Sequence, residues 1–172
     1  KFIFYDDVNF IKSGWINRNR ILVNGRATFF TVALKEASSY KLINQIEISG
    51  NKLKLLKTIE LAYKRAPFFK NTWPLIEYCI QQKTNKISEL AIISVTEICR
   101  YLGINKEFQI SSASYSNTDY LKKTDRLIQI CKINESRTYI NAIGGQTIYT
   151  KKDFSEFGIE LAFLKTHDII YK

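Results

Sequence analysis

Two adjacent carboxylates, Asp6 and Asp7, close the apolar run Phe2-Ile3-Phe4-Tyr5, and Lys12, Trp15, Arg18, Asn19 and Arg20 follow shortly after. A carboxylate, an aromatic platform and two guanidiniums at the end of a strand suit a polar or phosphorylated ligand. The reason is geometric: an Arg fork grips a carboxylate or phosphate through two parallel N–H bonds. Alternation along the strand sends the side chains of Asp6 and Asp7 to opposite faces, so at most one enters a given pocket. The same residues would also serve as a solvated loop with surface ion pairs.

Ser111-Ser112 and Gly144-Gly145 each follow a further strand-like run. The carboxyl ends of strands in an open α/β sheet are where ligands usually bind. Consecutive glycines there let backbone N–H groups approach an anion, or they simply make a turn. Neither GxGxxG nor GxxxxGK[ST] occurs, so the chain carries no dinucleotide fingerprint and no P-loop. Lys122, Asp125 and Arg126 fall at the start of a helix, where the cations could hold a phosphate or steady a negatively charged intermediate; the alternative is a solvated helix face. His167 beside Asp168 invites a dyad, yet one His near a chain end reads first as an ordinary surface or packing residue. Cys79, Cys99 and Cys131 are an odd number, without CxxC or metal-ligand spacing, and fall on apolar helix faces where a free Cys behaves as a small hydrophobe. No metal site is expected, and a reducing, cytoplasmic compartment is the simplest reading.

The elements that must position these groups follow from periodicity. Phe2 to Val8, Arg20 to Val23 and Ala27 to Leu34 read as strands, with Asn24-Gly25 as the turn of a hairpin. Ile43 to Ile48 alternates like a half-buried strand. From Lys52 the period turns helical as far as Pro67; Phe68 to Gln82 continues as a helix entered or kinked at Pro74. A third helix bears the stripe Ile87, Leu90, Ala91, Ser94, Val95, Ile98 and Leu102, with Asn85 as N-cap and Gly103 as stop. Beyond it come a strand at Glu107 to Ser112, a polar loop to Thr118 and a helix with Leu127, Ile128 and Cys131. A strand at Arg137 to Asn141, a short helix around Asp153 to Phe157 and a strand at Ile159 to Leu164 complete the order. The expectation is a single α/β domain over residues 1–172, a mixed sheet with a parallel βαβ part, an N-terminal antiparallel hairpin and helices packed on the sheet.

Composition sets the bounds. Of 172 residues 45% are hydrophobic and 13% aromatic, enough for a sizeable core, which excludes a disordered tail, a collagen-like repeat or a disulfide-stapled mini-protein. No apolar run approaches the roughly 20 residues of a membrane span, and the opening Lys1-Phe2-Ile3-Phe4-Tyr5 is expected to be a strand rather than a signal peptide. The absence of any Met predicts that the sequence starts inside a domain. With 26 Lys+Arg against 16 Asp+Glu the formal charge is +10. Lys52, Lys54, Lys57, Lys64, Arg65 and Lys70 against Glu60 make the densest basic stretch, beside Tyr63, Phe68 and Phe69. Such a face could track a nucleic acid backbone or merely solubilise the fold, and an anionic small molecule explains +10 equally well.

Tyr5-Asp6-Asp7-Val8-Asn9-Phe10-Ile11-Lys12, then Trp15 and Arg18-Asn19-Arg20-Ile21, resembles the signature of the bacterial WbqC-like family, associated with O-antigen and other surface-polysaccharide clusters. The likeness runs on through Tyr63-Lys64-Arg65-Ala66-Pro67-Phe68-Phe69, Ser111-Ser112, and Lys122 with Asp125 and Arg126. It closes with Tyr139-Ile140-Asn141, Ile143-Gly144-Gly145-Gln146 and Tyr149, so that it spans essentially the whole chain. Members usually begin with a Met-Gln-Pro segment ahead of the first strand, which this sequence lacks; an N-terminal strand and loop are therefore expected to be missing here, and any nucleotide site to be incomplete. Ala142 also stands where Pro is common in the family.

The resemblance implies a transferase, with glycine transfer to an amino sugar as the activity proposed for the family. Such chemistry needs an activated acyl donor, a base for the amine and donors for an oxyanion. On that reading Asp6 or Asp7, near Lys12, serves the amine and the Gly144 and Gly145 amides face the oxyanion. Arg18, Arg20, Lys122 and Arg126 hold a nucleotide-sugar diphosphate, with Asn19, Ser111, Ser112, Asp125 and Asn141 lining the site, and Trp15 or Tyr149 stacks on a base or sugar. An aminoacyl-tRNA is a candidate donor. The rivals are a nucleotidyltransferase-like enzyme and a non-catalytic binding module.

Overall fold

The computed structural model describes residues 1–166, so the His167–Asp168 pair lies outside the described residues. The chain is mixed α/β, with small parallel and antiparallel sheets, and divides into two compact units, Lys1–Ser114 and the residues from Tyr115 on. No helix among the described residues is long and apolar enough to cross a membrane.

In the first unit β1 (Phe2–Phe4) pairs in parallel with β6 (Phe108–Ile110), Phe2 opposite Phe108 and Phe4 opposite Ile110. Phe4 stacks on Phe108 with ring centroids 5.7 Å apart, and Phe2 meets both rings edge-on. The first strand stops after three residues rather than running to Val8, and that early stop frees Asp6 and Asp7 from alternation.

The expected hairpin is present: β2 (Arg18–Val23) and β3 (Arg26–Thr31) pair antiparallel with Val23 opposite Arg26. Asn24 and Gly25 take φ of 50° and 74°, the left-handed pair that a two-residue turn needs to match strand twist. Beyond it β4 (Leu34–Lys35) pairs antiparallel with β5 (Glu47–Ile48). Ile43 to Gln45, read as strand, is a turn of 3₁₀ helix. The Gln45 side chain accepts from the Leu42 N–H at 3.0 Å and competes locally with ladder pairing.

Three helices follow: α1 (Lys52–Tyr63), α2 (Phe69–Gln81) and α3 (Ile87–Tyr101). Asn51 caps α1, accepting from the N–H groups of Leu53 and Lys54. Pro74 sits inside α2, in its second turn. Asn85 does not cap α3. Its carbonyl accepts from the Ile48 N–H at 2.7 Å, while the Thr84 hydroxyl accepts from the Lys86 N–H. Phe10, Ile46, Ile87 and Leu90 form a buried cluster against which Ile16, Val32 and Leu34 pack; each such side chain contributes about 1.5–3 kcal/mol by leaving water.

The first unit ends in a helical turn, α4 (Ser111–Ser114), where a strand end had been expected. In the second unit α5 (Lys123–Ile133) buries Leu127, Ile128, Ile130 and Cys131. β7 (Thr138–Ala142) and β8 (Glu160–Leu164) pair in parallel, Thr138 opposite Glu160. The crossover carries a 3₁₀ turn at Ile143–Thr147 and α6 (Lys151–Ser155), capped by Thr150. Phe154 from that helix is fully buried and stacks on Tyr139 of β7 at 5.4 Å.

Candidate functional site

The carboxyl ends of the two parallel strands of the first unit bring four polar side chains together. The Ser111 Oγ lies 3.1 Å from Asp6 Oδ1 and 2.5 Å from Asp7 Oδ1, so both carboxylates face one hydroxyl. Alternation would have parted them; the chain has already left strand geometry at Phe4, and it does not. The hydroxyl has a single proton and can satisfy one carboxylate at a time. Asp6 does not depend on it, because its Oδ1 accepts from the Ser112 N–H at 3.0 Å and its Oδ2 from the Ser112 hydroxyl at 2.8 Å. The Asp6 N–H in turn donates to Ser111 Oγ at 3.1 Å. Asp6 is therefore a buried, locked carboxylate, while Asp7, half-buried, takes the shorter contact to Ser111. Ser111 itself has no exposed surface, so it orders the carboxylates and is not placed to attack a substrate.

The hairpin builds a second cluster on one face. Arg18 and Arg20 stand two residues apart on β2, Arg20 opposite Phe29, and Trp15 precedes the strand. The Arg18 guanidinium carbon lies 4.7 Å from the Phe29 ring centre and 5.9 Å from that of Trp15; for Arg20 the distances are 5.0 and 5.4 Å. Both fall within cation–π range. Arg18 Nε donates to the Gly14 carbonyl at 3.0 Å and one of its terminal nitrogens to the Ser13 carbonyl, which holds the fork in place. Trp15 is 61% exposed, so a planar group can reach it. Asn19 is exposed and turns its Oδ1 to the Arg20 N–H. Lys12 is exposed in the turn after Phe10. Phe29 was not singled out in the sequence, although the register was available: a two-residue turn at Asn24-Gly25 fixes Arg20 opposite Phe29.

In the second unit Lys122 is the residue at the start of α5, and Asp125 lies in its first turn. Arg126 is 4% exposed and so belongs to no solvated face. Its Nε donates to Thr118 Oγ1 at 3.1 Å, and that hydroxyl donates to the Tyr115 carbonyl at 2.7 Å. Thr118 was missed because a lone Thr in a polar stretch gives no signal. Gly144 and Gly145 form part of the 3₁₀ turn that ends β7, where the Gly145 carbonyl accepts from the N–H groups of Ile148 and Tyr149. A Cβ on Gly145 would stand 2.7 Å from the Asn141 amide nitrogen, whereas one on Gly144 would meet open space. Gly145 is thus required for the close approach of Asn141. Tyr149 meets Tyr139 and Phe154 edge-on, and burial raises its phenol pKa, so it stays a neutral donor through the physiological range.

Burial likewise raises the thiol pKa of Cys79, where the Glu97 carboxylate adds to the effect, and of Cys131. Both are poor nucleophiles. No group of three or more His, Cys, Asp or Glu is arranged to hold a metal ion among the described residues.

A family model described as the WbqC-like protein family matches residues 1–172. The chain is also similar to a protein of Mycobacterium tuberculosis (strain ATCC 25618 / H37Rv) described as the uncharacterized protein Rv1507c. The two are 27% identical over 168 residues, which cover 95% of this chain and 71% of that protein. No solved structure matches the chain significantly.

Proposed function

The chain belongs to the WbqC-like protein family, and from that premise we propose that it is a cytoplasmic transferase of bacterial surface-polysaccharide assembly, moving a glycyl or other acyl group onto the amine of a nucleotide-linked amino sugar. The observation that carries this reading is the convergence of Asp6 and Asp7 on Ser111 at the carboxyl ends of two parallel strands, the position at which α/β folds place ligands.

In this reaction the sugar amine nitrogen attacks the carbonyl carbon of an activated acyl donor. The C–N bond forms, the nitrogen gives up one proton, and the bond to the donor's oxygen or sulfur breaks, that atom departing with the proton relayed to it. Asp7 is the base that takes that proton; Asp6, held by Ser112, and Ser111 keep its carboxylate aimed. Arg18 and Arg20, stacked on Trp15 and Phe29, supply charge and a platform for the nucleotide diphosphate and base. Positioned proton transfer of this kind is worth about 10²–10⁴-fold.

The test is a turnover assay with glycyl-tRNA as donor and a panel of nucleotide-linked amino sugars as acceptors, read by the mass of the acylated sugar. Asp7→Asn should lower kcat by about 10²-fold or more, and Arg18→Ala should act chiefly on KM. A donor of tRNA size should give a steep salt dependence, and a small thioester donor a shallow one.

A second reading is nucleotidyl transfer, which the same pair of carboxylates favours. Release of diphosphate from a nucleoside triphosphate in the presence of Mg²⁺, with no acyl transfer from any donor, would replace the first reading with this one.

A further inference from the structure

The hairpin β2–β3 is a two-stranded sheet whose two edges differ. The Val32 N–H donates to the Asn17 carbonyl at 2.7 Å, which sets the phase of the ladder: Thr28, Phe30 and Val32 turn their backbone groups to the β2 side, and Ala27, Phe29 and Thr31 turn theirs outward. The outer edge of β2 is covered, because the Leu22 N–H donates to the Tyr63 hydroxyl at 3.0 Å and the Arg20 N–H to Asn19 Oδ1 at 2.8 Å. The outer edge of β3 is filled only beyond its end, where β5 pairs with Leu34 and Lys35 and the Ser49 N–H donates to the Ala33 carbonyl at 2.8 Å. At Gly50, with φ of 79°, the chain leaves that row and enters α1. The outward N–H and C=O groups of Ala27, Phe29 and Thr31 therefore have no partner among the described residues, and they stand in line with the point where β5 stops.

A groove of about 300 Å³ runs beside this stretch, from Phe29 to Ala33, and the first turns of α1 form its other wall with Lys54, Leu55 and Thr58. A strand laid in it would alternate between two environments. Side chains on the α1 side would meet Phe30, Val32 and Leu55, which are apolar. Those on the other face would lie beside Phe29, where the Arg18 and Arg20 guanidinium carbons stand 4.7 and 5.0 Å from the ring centre. Two positive charges are thereby carried onto the strand next to the vacant row, and Lys54 adds a third at the helix wall. No carboxylate lines the groove, and Arg18, Arg20 and Lys54 form no ion pair among the described residues.

We propose that the free edge of β3 docks an extended acidic segment of a partner protein, added as a strand antiparallel to β3 and in line with β5, with apolar residues toward α1 and acidic ones toward Phe29. In this mode main-chain hydrogen bonds supply affinity and the alternate side chains supply specificity. Charge decides between this occupant and a second copy of the chain. A second copy brings the same formal charge of +10 to the edge, and basic residues beside an edge are a device by which sheets discourage self-pairing. The edge uses backbone groups that the transferase reading does not, and it stands whether or not that reading holds.

The experiment is amide hydrogen exchange and calorimetric titration of the intact protein with a capped peptide of alternating Glu and Val, about eight residues long, with the Lys and Val analogue as a separate arm. In the free protein the Phe30 amide should exchange slowly and those of Phe29 and Thr31 fast. The acidic peptide should slow Phe29 and Thr31 by about tenfold or more, and the basic one should leave them fast. N-methylation of one alternate set of peptide residues should abolish binding and of the other set spare it, since only one set faces β3. Thr31→Pro removes an outward donor that the hairpin does not use, and should lower the affinity at least about tenfold with an unchanged circular-dichroism spectrum. Lys54→Glu should weaken the acidic peptide and strengthen the basic one. Failure of the acidic peptide to protect Phe29 and Thr31, equal binding of the two peptides, equal tolerance of both N-methylated sets, or binding that survives Thr31→Pro would each overturn the proposal. So would protection of the same two amides that rises with protein concentration in the absence of peptide, which would seat a second copy on the edge.

Discussion

The Ser111 hydroxyl meets Asp7 across 104 positions of sequence, at 2.5 Å, while the same oxygen accepts the N–H of Asp6. One side chain thereby fixes the end of β1 to the start of α4 and keeps two carboxylates from facing each other without a shared donor. Ser111→Ala removes that donor and leaves a buried N–H and a carboxylate short of a partner. The expected loss is about 1–3 kcal/mol, measured as a lower urea midpoint. Ser111→Thr, which keeps the hydroxyl, should retain more stability than Ala.

The cation–aromatic cluster can be tested without an assay of turnover. Arg18 and Arg20 each lie over both Trp15 and Phe29, at an exposed site where one such contact is worth about 0.5–1 kcal/mol. Phe29→Ala should cost more than that, since two guanidiniums and the Trp15 ring, 5.9 Å away, lose it together. A double-mutant cycle of Phe29→Ala with Arg20→Ala should show a coupling of about 0.5–1 kcal/mol. Additivity would mean that the stacking is incidental.

How much of this was legible in the sequence depends on how local its causes are. The hairpin, its turn and α1 follow from neighbours: Asn24-Gly25 sets the register, and an apolar stripe with Asn51 ahead of it sets the helix. The pairing of Asp6 and Asp7 on Ser111 was not legible, because it depends on β1 ending after three residues and on a partner far along the chain. Ile43 to Ile48 misled for a related reason. Its alternation is real, but a side-chain bond from Gln45 to the Leu42 N–H turns the first half into 3₁₀ helix. Gly144-Gly145 read as either an anion cradle or a plain turn; the contact that explains Gly145, the Asn141 amide, is four residues away and gives no signal in composition.

Alkaline stability follows from the two buried thiols. Cys79 and Cys131 have pKa values raised by burial, with Glu97 contributing at Cys79. A folded pKa above the unfolded one means that the folded protein holds more protons at high pH. The stability this contributes is complete below the unfolded thiol value of about 8.5 and is lost as the pH rises through the raised folded values. The urea midpoint should fall across that window, and the fall should be shallower in a Cys79→Ala, Cys131→Ala double variant. Lys52, whose pKa burial lowers, acts with the opposite sign, but it is common to both proteins and cancels in the comparison. Parallel pH profiles would overturn the assignment.

The adjacent glycines at the end of β7 give the sharpest contrast. A Cβ at position 145 would lie 2.7 Å from the Asn141 amide nitrogen, 3.0 Å from its carbonyl carbon and 3.3 Å from the Phe163 ring, and Gly145 is buried. A Cβ at 144 touches nothing within 4 Å. Neither glycine has a positive φ, so backbone freedom does not separate them and only space does. Gly145→Ala should therefore cost about 1–3 kcal/mol, as overpacking does, whereas Gly144→Ala should change the urea midpoint by well under about 1 kcal/mol. Because the first obstruction is a side chain, Asn141→Ala should recover part of the loss in the Gly145→Ala background even though it weakens the wild type. If the two glycines tolerate Ala equally, the Asn141 amide does not pack on the turn, and the reason for the second glycine must be sought in what the exposed turn binds.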